Sequence, residues 1–318
     1  MIDLRRFFKP LNGVLAVLLL ACAMPAWADN KVQLQQGVTA YKAGNYNKAL
    51  RLLQPLAQQG DAYAQHNLGI MHYQGKGIAQ DYQQARAWWQ KAANQGLANA
   101  QYNLGIMYEN SQGVAQNYQQ AFAWYQKAAN QGFADAQNNL GVMYENGKGV
   151  KQDNKQAFAW YQKAANQGFA AAQFNLGAMY DNGQGVAQDA KQAMAWYLKA
   201  ANQGETQAQY NLGMMYNEGR GVAQDEKQAM AWFQQAANLG DVKSQYALGN
   251  MYRQGQGVAQ DEKQAAQWYQ KAANQGHTAA QFNLGVMYYN GLGVAQNDQQ
   301  AKAWWQKVLA QPDTADNA

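Results

Sequence analysis

Cysteine, proline, serine and histidine are scarce in this sequence of 318 residues. The single cysteine, Cys22, excludes a disulfide scaffold, and no thiol chemistry is possible after it. The four prolines stand at positions 10, 25, 55 and 312, so no helix-breaking ring occurs in residues 56–311. Charged residues make up only 14% and aromatic residues 12%, which is unlike a disordered chain. With 30 glycines as punctuation, this composition predicts many short helices.

The first 28 residues have the three parts of a secretory signal peptide. A basic beginning is followed by a short apolar stretch, residues 11–24, and by the small-x-small site Ala26-Trp27-Ala28. We therefore expect cleavage between Ala28 and Asp29. The mature chain would be periplasmic or secreted, with a net charge of +3 and no transmembrane segment.

Two other membrane or export signals are not favoured. A lipoprotein needs a small residue two positions before the modified cysteine, and Leu20 stands there before Cys22. Arg5-Arg6 is better explained as an ordinary positive region than as a twin-arginine signal. Export also argues against nucleic acid as a partner.

An exact repeat of 36 residues fills most of the chain. The string Ala-Gln-x-Asn-Leu-Gly-x-Met begins at Ala64, Ala100, Ala136, Ala172, Ala208 and Ala280, with a variant at Ser244. No insertion interrupts the period, so residues 61–310 are predicted to form seven stacked units without a linker. Residues 311–318 are predicted to be a flexible C-terminal tail.

Each unit reads as two helices. The first spans roughly residues 61–73 in the first unit. The second opens with Asp81, and Gln84 three residues later predicts a capping box in which each side chain bonds the backbone N–H of the other residue. Trp88 lies on the face expected to be buried, and Gly96 ends the helix in the left-handed conformation that glycine adopts cheaply.

Two single positions predict special backbone or packing. Gly69 removes a side chain where another helix can approach closely. Ser111 replaces the glycine that follows the first helix in the other units, so we expect a strained or altered turn there.

These units resemble the Sel-one-like repeat (SLR) family, a relative of the tetratricopeptide repeat. The resemblance rests on Leu104-Gly105-x-Met107-Tyr108, on Gly113-Val114 and on the run Ala121-x-Ala123-Trp124-Tyr125-x-Lys127-Ala128-Ala129. It implies an all-α fold, a right-handed α-solenoid of stacked antiparallel helix pairs that serves as a platform for protein partners. Residues 29–60 resemble the shorter tetratricopeptide unit and are interpreted as an N-terminal capping pair.

The sequence gives no support for catalysis, a cofactor or a metal site. Some relatives are cysteine-rich proteins with proposed penicillin-binding or hydrolytic activity, but this chain has neither those cysteines nor a matching nucleophile. His66 and His72 lie off a common helix face, and His277 is almost six repeats away. The Gly-x-Gly-Val element lacks the strand and the Lys-Ser/Thr of a phosphate loop, so it is interpreted as a turn.

The resemblance also implies a binding surface. In tetratricopeptide-like solenoids the first helices line the concave face, which directs residues 63, 66, 70 and 73 of each unit toward a groove. The candidate binding residues there are Tyr102, Phe174, Tyr210, Tyr246 and Phe282 in the aromatic column, and Glu109, Glu145, Asp181, Asn217 and Arg253 in the variable column. The acidic members suggest a basic, extended peptide. The alternative is that the aromatic rings only pack between neighbouring helices.

Four further columns have both structural and functional interpretations. The tryptophans at Trp88 and its equivalents are predicted to be core. The asparagines at Asn67 and its equivalents are favoured as structural, the alternative being a grip on a peptide backbone. The lysines at Lys91 and its equivalents suit helix C-termini, the alternative being an anionic envelope polymer. Phe122, Phe158, Met194 and Met230 form either an apolar patch or inter-repeat packing.

The predicted function is an exported, non-enzymatic scaffold. It would bind a protein or an extended peptide on the concave face, in envelope organisation, regulation or host contact. The alternative is a glycan- or peptidoglycan-binding module that uses the aromatic column, and an envelope hydrolase is a weaker third hypothesis.

Overall fold

The structure is a computed structural model that describes residues 29–310. The predicted signal peptide and the predicted C-terminal tail lie outside the described residues. Sixteen helices and no strand occur in residues 29–310, which confirms an all-α repeat solenoid. Within this range no helix is both long enough and apolar enough to cross a membrane.

The first two helices precede the exact repeats. Helix α1 covers residues 29–42 and α2 spans Tyr46–Gln58. Both pack on the first repeat, where Leu53 and Leu56 of α2 join Leu68 in one apolar cluster.

The first helix of each repeat is called an A helix here. The seven A helices are α3 (Ala62–Gln74), α5 (Ala98–Asn110), α7 (Ala134–Asn146), α9 (Ala170–Asn182), α11 (Thr206–Glu218), α13 (Val242–Gln254) and α15 (Thr278–Asn290). The second helix of each repeat is called a B helix. The seven B helices are α4 (Tyr82–Asn94), α6 (Tyr118–Asn130), α8 (Asn154–Asn166), α10 (Ala190–Ala201), α12 (Glu226–Asn238), α14 (Glu262–Asn274) and α16 (Asp298–Leu309).

The described residues form two compact units. The N-terminal unit runs to Met143 and includes Gly147–Lys151. The C-terminal unit comprises Tyr144–Asn146 and the chain from Gln152 onward. No proline- or glycine-rich linker marks this division in the sequence, since the 36-residue period runs through it unchanged.

The start of each B helix is capped, but only half of the predicted capping box forms. The side chain of Asp81 accepts a hydrogen bond from the backbone N–H of Gln84 at 2.9 Å. The second half of the prediction was wrong, because the backbone N–H of Asp81 donates to the carbonyl of His72 at 2.9 Å. The A helix thus supplies the acceptor, and the Gln84 side chain lies exposed.

The glycine inside each A helix makes room for a ring of the B helix, as predicted for Gly69. A methyl group at Gly177 would come within 2.7 Å of the Tyr197 ring. The rings at this B-helix position are the most deeply buried large side chains: Tyr125 and Tyr161 are 0% exposed. The close approach of the A and B helices therefore depends on glycine.

A second glycine fixes the contact between consecutive repeats. Gly221 has φ +72°, and a Cβ there would lie 2.6 Å from the carbonyl oxygen of Ala190, the first residue of the preceding B helix. Gly257 meets Glu226 in the same way at 2.6 Å. Neither the backbone conformation nor the space admits another residue.

Ser111 is the only residue other than glycine with positive φ in residues 29–310. It has φ 59° and ψ 36°, the left-handed conformation that Gly147 adopts at the same place in the next repeat. The turn keeps the geometry of the other repeats, and the predicted strain is carried by the backbone of Ser111.

The tryptophan of each B helix is core on one face and carries a lysine on the other. Trp124 and Trp160 are 9% exposed, whereas Trp88, Trp196 and Trp232 are half-buried. The lysine three residues later places its ammonium 3.6–4.3 Å from the ring centroid in the pairs Trp88–Lys91, Trp124–Lys127, Trp160–Lys163, Trp196–Lys199, Trp268–Lys271 and Trp304–Lys307. The lysine column is therefore a set of cation–π contacts as well as helix C-terminal charges.

A buried glutamine ties each A helix to the preceding B helix. Gln173 is 5% exposed, and its Nε2 donates to the carbonyl of Ala165 at 3.2 Å. Its Oε1 accepts from Gln203 Nε2 at 2.8 Å, and that same amide also reaches the carbonyl of Gly168 at 2.9 Å. These bonds satisfy buried backbone carbonyls at the ends of the B helices.

Candidate functional site

Four positions on each A helix form one stripe, which we call the A stripe. They are residues 63, 66, 70 and 73 of α3 and their equivalents in the later A helices. Steps of three, four and three residues return to the same side of a helix. In α11 the stripe is Gln207, Tyr210, Met214 and Asn217, and in α13 it is Lys243, Tyr246, Asn250 and Arg253.

The C-terminal unit has a cleft of 620 Å³ on its A stripes. Three A helices supply its walls: α11, α13 and the start of α15. Its lining includes Tyr210, Met214, Asn217, Lys243, Tyr246, Asn250, Gln254, Gln256 and His277. The structure therefore brings together three of the candidate residues predicted from the sequence, Tyr210, Asn217 and Tyr246.

The aromatic column packs on the core ring beneath it. Ring centroids are 5.6 Å apart for Tyr102 and Tyr125, 5.7 Å for Phe174 and Tyr197, 5.8 Å for Tyr210 and Phe233, and 5.8 Å for Tyr246 and Tyr269. Four of the five candidate rings are thus half-buried with one side covered. Phe282 is 53% exposed and is the open member of the column.

The acidic column is held by tyrosine hydroxyl groups. Tyr125 donates to Glu109 Oε2 at 2.7 Å, and Tyr161 donates to Glu145 Oε2 at 2.6 Å. Burial and the neighbouring carboxylate together raise the pKa of Tyr125 well above its ordinary value. The tyrosines therefore remain protonated donors, and the carboxylates are partly used inside the repeat.

Asp181 is paired within the C-terminal unit. Arg220 Nη1 lies 2.6 Å from Asp181 Oδ1, and Arg220 Nε lies 2.7 Å from Glu218 Oε2. The Asp181 side chain is only 13% exposed. Its charge is thus balanced, which weakens the expected acidic stripe for a basic ligand.

Arg253 reverses the sign of the variable column. It stands where Asp181 stands two repeats earlier, and its Nε is buried without a hydrogen-bond partner. Tyr269, the B-helix ring of the same repeat, donates instead to Asn250 Oδ1 at 2.6 Å. Burial raises the pKa of Tyr269 to about 12, although the charge of Arg253 acts in the opposite direction.

The asparagine column is mostly used inside the protein. Asn139 hydrogen-bonds Tyr125, Asn211 hydrogen-bonds Tyr197 and Asn283 hydrogen-bonds Tyr269. In each pair the asparagine belongs to the repeat that follows the tyrosine. These contacts support the structural interpretation over a grip on a peptide backbone.

His277 is a cleft residue that the sequence reasoning missed. Its ring stacks on Tyr246 with a centroid distance of 4.5 Å, and its Nδ1 accepts from the N–H of Ala280 at 3.2 Å as the cap of α15. Burial lowers the pKa of His277, and Lys243 adds to that effect. The one signal in the sequence was its position before an A helix, where Phe133 contacts Tyr102 in an earlier repeat.

A smaller cleft of 310 Å³ lies on the A stripes of the N-terminal unit. Its lining includes His66, Ile70, Tyr73, Trp89, Tyr102 and Asn103. Tyr73 donates across to Gln112 Oε1 at 2.7 Å, which crosses this surface. Burial lowers the pKa of His66 to about 4.

A third cleft, of 440 Å³, lies beside B helix α14. Ala266 lines it together with Leu284 and Tyr288. At the same repeat position Phe158 packs edge-on against Tyr180 at 5.3 Å, which supports packing over an apolar patch for that column. The cleft is therefore the space that a larger side chain fills in the other repeat.

The described residues offer little for catalysis. No group of three histidine, aspartate, glutamate or cysteine side chains capable of holding a metal occurs among residues 29–310. The perturbed tyrosines are buried donors, and the histidines lie in separate places. The helix pairs and the aromatic, amide-rich cleft define a repeat solenoid with a surface suited to binding.

Comparison with known proteins identifies the family. The Sel1 repeat matches eight consecutive segments, at residues 34–61, 62–97, 98–133, 134–169, 170–205, 206–241, 242–277 and 278–311. The chain belongs to the Sel1 repeat family. The first segment, 34–61, is a short copy and falls in the region interpreted as a capping pair. Proteins of this family are generally scaffolds for protein–protein interaction and generally lack enzymatic activity.

Two solved structures are similar. A protective antigen present in uropathogenic Escherichia coli strains, which displays the SLR fold, is 40% identical with a TM-score of 0.80. The match covers 82% of this chain and 56% of the antigen, so this chain spans little more than half the length of that protein. A Sel1 repeat protein from Oxalobacter formigenes is 33% identical with a TM-score of 0.73, over 96% of this chain and 89% of the other. A search of curated proteins gave no match.

Proposed function

We propose that this protein is an exported, non-enzymatic scaffold that binds an extended segment of a partner protein in the 620 Å³ cleft of its C-terminal unit. The observation that carries the proposal is the cleft itself. Tyr210 and Tyr246 give it half-exposed rings, while Asn217, Asn250 and Gln254 give it amides. Rings supply contact area at small entropic cost, and amides can pair with a peptide backbone.

The position of the cleft also favours a peptide. It follows the A stripes of consecutive helices, and helices packed side by side lie about 8–10 Å apart. A peptide that crosses from α11 to α15 therefore meets a new stripe every two or three residues, at about 3.3 Å per extended residue. Its side chains can then be read by different repeats.

Export and an envelope role belong to the same proposal. The basic, apolar and small-x-small segments of residues 1–28 support secretion. The similar Escherichia coli chain is a protective antigen, which adds to the case. Cell fractionation that leaves the full-length chain unprocessed in the cytoplasm would contradict this part.

A peptide-display selection tests the binding function. The purified chain is panned against a random dodecapeptide library, and selected peptides are synthesised and titrated by fluorescence anisotropy. We expect Tyr246→Ala to weaken their binding at least tenfold. The matched control is Phe174→Ala, which removes a ring packed in the same way but outside the cleft. Failure to select any peptide, or equal loss in both variants, contradicts the proposal.

Glycan binding is the second candidate function and has one observation in its favour. Phe282 is 53% exposed and can stack on a sugar. The other four rings of the column each have one side covered by the core. A sedimentation assay with insoluble peptidoglycan separates the two functions: retention that Phe282→Ala abolishes supports the glycan, and retention equal to that of an unrelated protein opposes it.

A further inference from the structure

We propose that the C-terminal cleft selects an extended peptide with two acidic side chains four or five residues apart and an apolar side chain between them. This inference rests on the proposed peptide-binding function. It differs from the expectation of a basic ligand, which came from the acidic column. Both cations of the A stripe of α13, Lys243 and Arg253, carry it.

The geometry of α13 sets the spacing of the acidic groups. Lys243, Tyr246, Asn250 and Arg253 follow each other at three, four and three residues, so they share one side of the helix. Ten residues at 1.5 Å per residue separate the two cations by about 15 Å along the axis. An extended peptide covers that distance in four or five residues, at about 3.3 Å each.

Lys243 is placed where the helix gains nothing from a cation. It lies in the first turn of α13, where the helix dipole disfavours positive charge. The lysines of the B helices, in contrast, lie in last turns and over tryptophan rings. Lys243 is exposed, with its ammonium 6.0 Å from the centre of the Tyr210 ring at the cleft wall.

Arg253 has a buried donor that lacks an acceptor. Its Nε has no hydrogen-bond partner, whereas Arg220 binds two carboxylates through Nε and Nη1. A buried unsatisfied donor is unfavourable, and a carboxylate is the partner that matches a guanidinium. A ligand carboxylate at Arg253 would thus recreate the pairing already present at Arg220.

Negative charge near the cleft is already engaged. No aspartate or glutamate lines it among the described residues. The two carboxylates that act on Tyr210 are Asp241 and Glu218. Asp241 accepts from the N–H of Ser244 at 2.6 Å, and Glu218 pairs with Arg220 at 2.7 Å. The charge left for a ligand is therefore positive.

The middle of the stripe supplies the apolar and amide contacts. Tyr246 presents its ring between the two cations, and Met214 lies on the opposite wall. Asn250 accepts from Tyr269 through Oδ1, which fixes the amide so that its Nδ2 group is the one that can donate to a peptide carbonyl. This order, cation, ring, amide and cation, matches an acidic–apolar–acidic ligand.

The test uses the dodecapeptide selection on the whole chain. We expect selected peptides to be enriched in two acidic residues separated by three or four others, and the double variant Lys243→Gln/Arg253→Gln to bind them at least thirtyfold more weakly. Each single variant should lose roughly three- to tenfold, with a smaller dependence on salt. Lys227→Gln, which removes an exposed charge outside the cleft, is the matched control and should bind normally.

The outcomes separate this inference from the proposed function. Peptides that require Tyr246 but show no acidic enrichment, or that bind the double variant within twofold of wild type, overturn the acidic specificity and leave peptide binding intact. Failure to select any peptide overturns both. Arg253→Lys, which keeps the charge, should retain most of the affinity that Arg253→Gln loses; an equal loss would assign Arg253 a merely structural role.

Discussion

Leu239 leaves the buried Oε1 of Gln209 without a hydrogen-bond donor. In the flanking repeats the equivalent of Leu239 is a glutamine: Gln203 donates to Gln173 at 2.8 Å, and Gln275 donates to Gln245 at 2.9 Å. Gln209 Oε1 has no such partner, and the Leu239 side chain is 60% exposed. One repeat therefore lacks a link that its neighbours have.

Leu239→Gln should stabilise the C-terminal unit. The new amide can satisfy Gln209 and also reach the carbonyl of Gly204, as Gln203 does with Gly168. We expect about 1 kcal/mol in the free energy of unfolding, measured by urea denaturation. Leu239→Ala is the control, since it removes the exposed apolar side chain without adding a donor, and it should change little. Equal effects of the two substitutions would show that the amide contributes nothing.

Gln235→Lys should add a missing cation–π contact. Gln235 is the exception in the lysine column, and the Trp232 beside it is half-buried like Trp196. Lys199 lies 3.6 Å from the Trp196 ring centroid, so a lysine at 235 should gain about 0.5–1 kcal/mol by urea unfolding. Gln235→Met matches the length without the charge. A gain of the same size from methionine would argue against the cation.

Ser111→Gly should relieve backbone strain. Ser111 has φ 59°, which costs a residue with a Cβ about 1 kcal/mol relative to glycine. We expect a gain of about that size in the free energy of unfolding. Ser111→Ala keeps the Cβ in the same conformation and should show no gain. A gain from alanine would place the effect in the Ser111 hydroxyl, which bonds Val114 at 3.3 Å, rather than in the backbone.

Acid should destabilise the N-terminal unit through His66. Burial lowers the pKa of His66 to about 4 in the folded state, whereas the unfolded chain has the ordinary value of 6.5. The unfolded state therefore binds more protons between these values, so stability is constant above pH 6.5 and falls as pH decreases toward 4. The loss reaches up to about 3 kcal/mol.

Comparison with His66→Phe isolates this effect. Phenylalanine already stands at the equivalent positions 174 and 282, so the repeat accepts it. The difference in unfolding free energy between the two proteins, followed from pH 7 to pH 4, should change in favour of the variant. A difference that does not depend on pH would refute the titration of His66.

The helices could be predicted closely because their ends are encoded locally. Asp81 and Gly96 mark the limits of a B helix, and the 36-residue period repeats those marks. Gly69 also indicated its close contact, because glycine inside a helix costs about 0.5–1 kcal/mol relative to alanine and suits a place where a neighbour fills the space. These features depend on residues near each other in the chain.

The binding surface was harder to predict because its chemistry depends on residues from other helices. Glu109 and Asp181 read as free charges in their own column. The partners that engage them, Tyr125 and Arg220, stand 16 and 39 residues later. The unpaired Nε of Arg253 and the cleft beside Tyr246 depend likewise on which side chains surround them. A single column of the sequence contains neither.

Gly221 and its equivalents also separate the scaffold from its reading surface. Because the contact between repeats at these glycines is backbone against backbone, its geometry does not depend on the identity of the A-stripe residues. Mutation can therefore rewrite four side chains on one A helix while the neighbouring repeats remain in place. Duplication of one 36-residue segment would likewise insert a complete recognition element in frame. Changes of ligand in this molecule should accordingly accumulate at residues such as Lys243 and Arg253, while the glycines between them stay fixed.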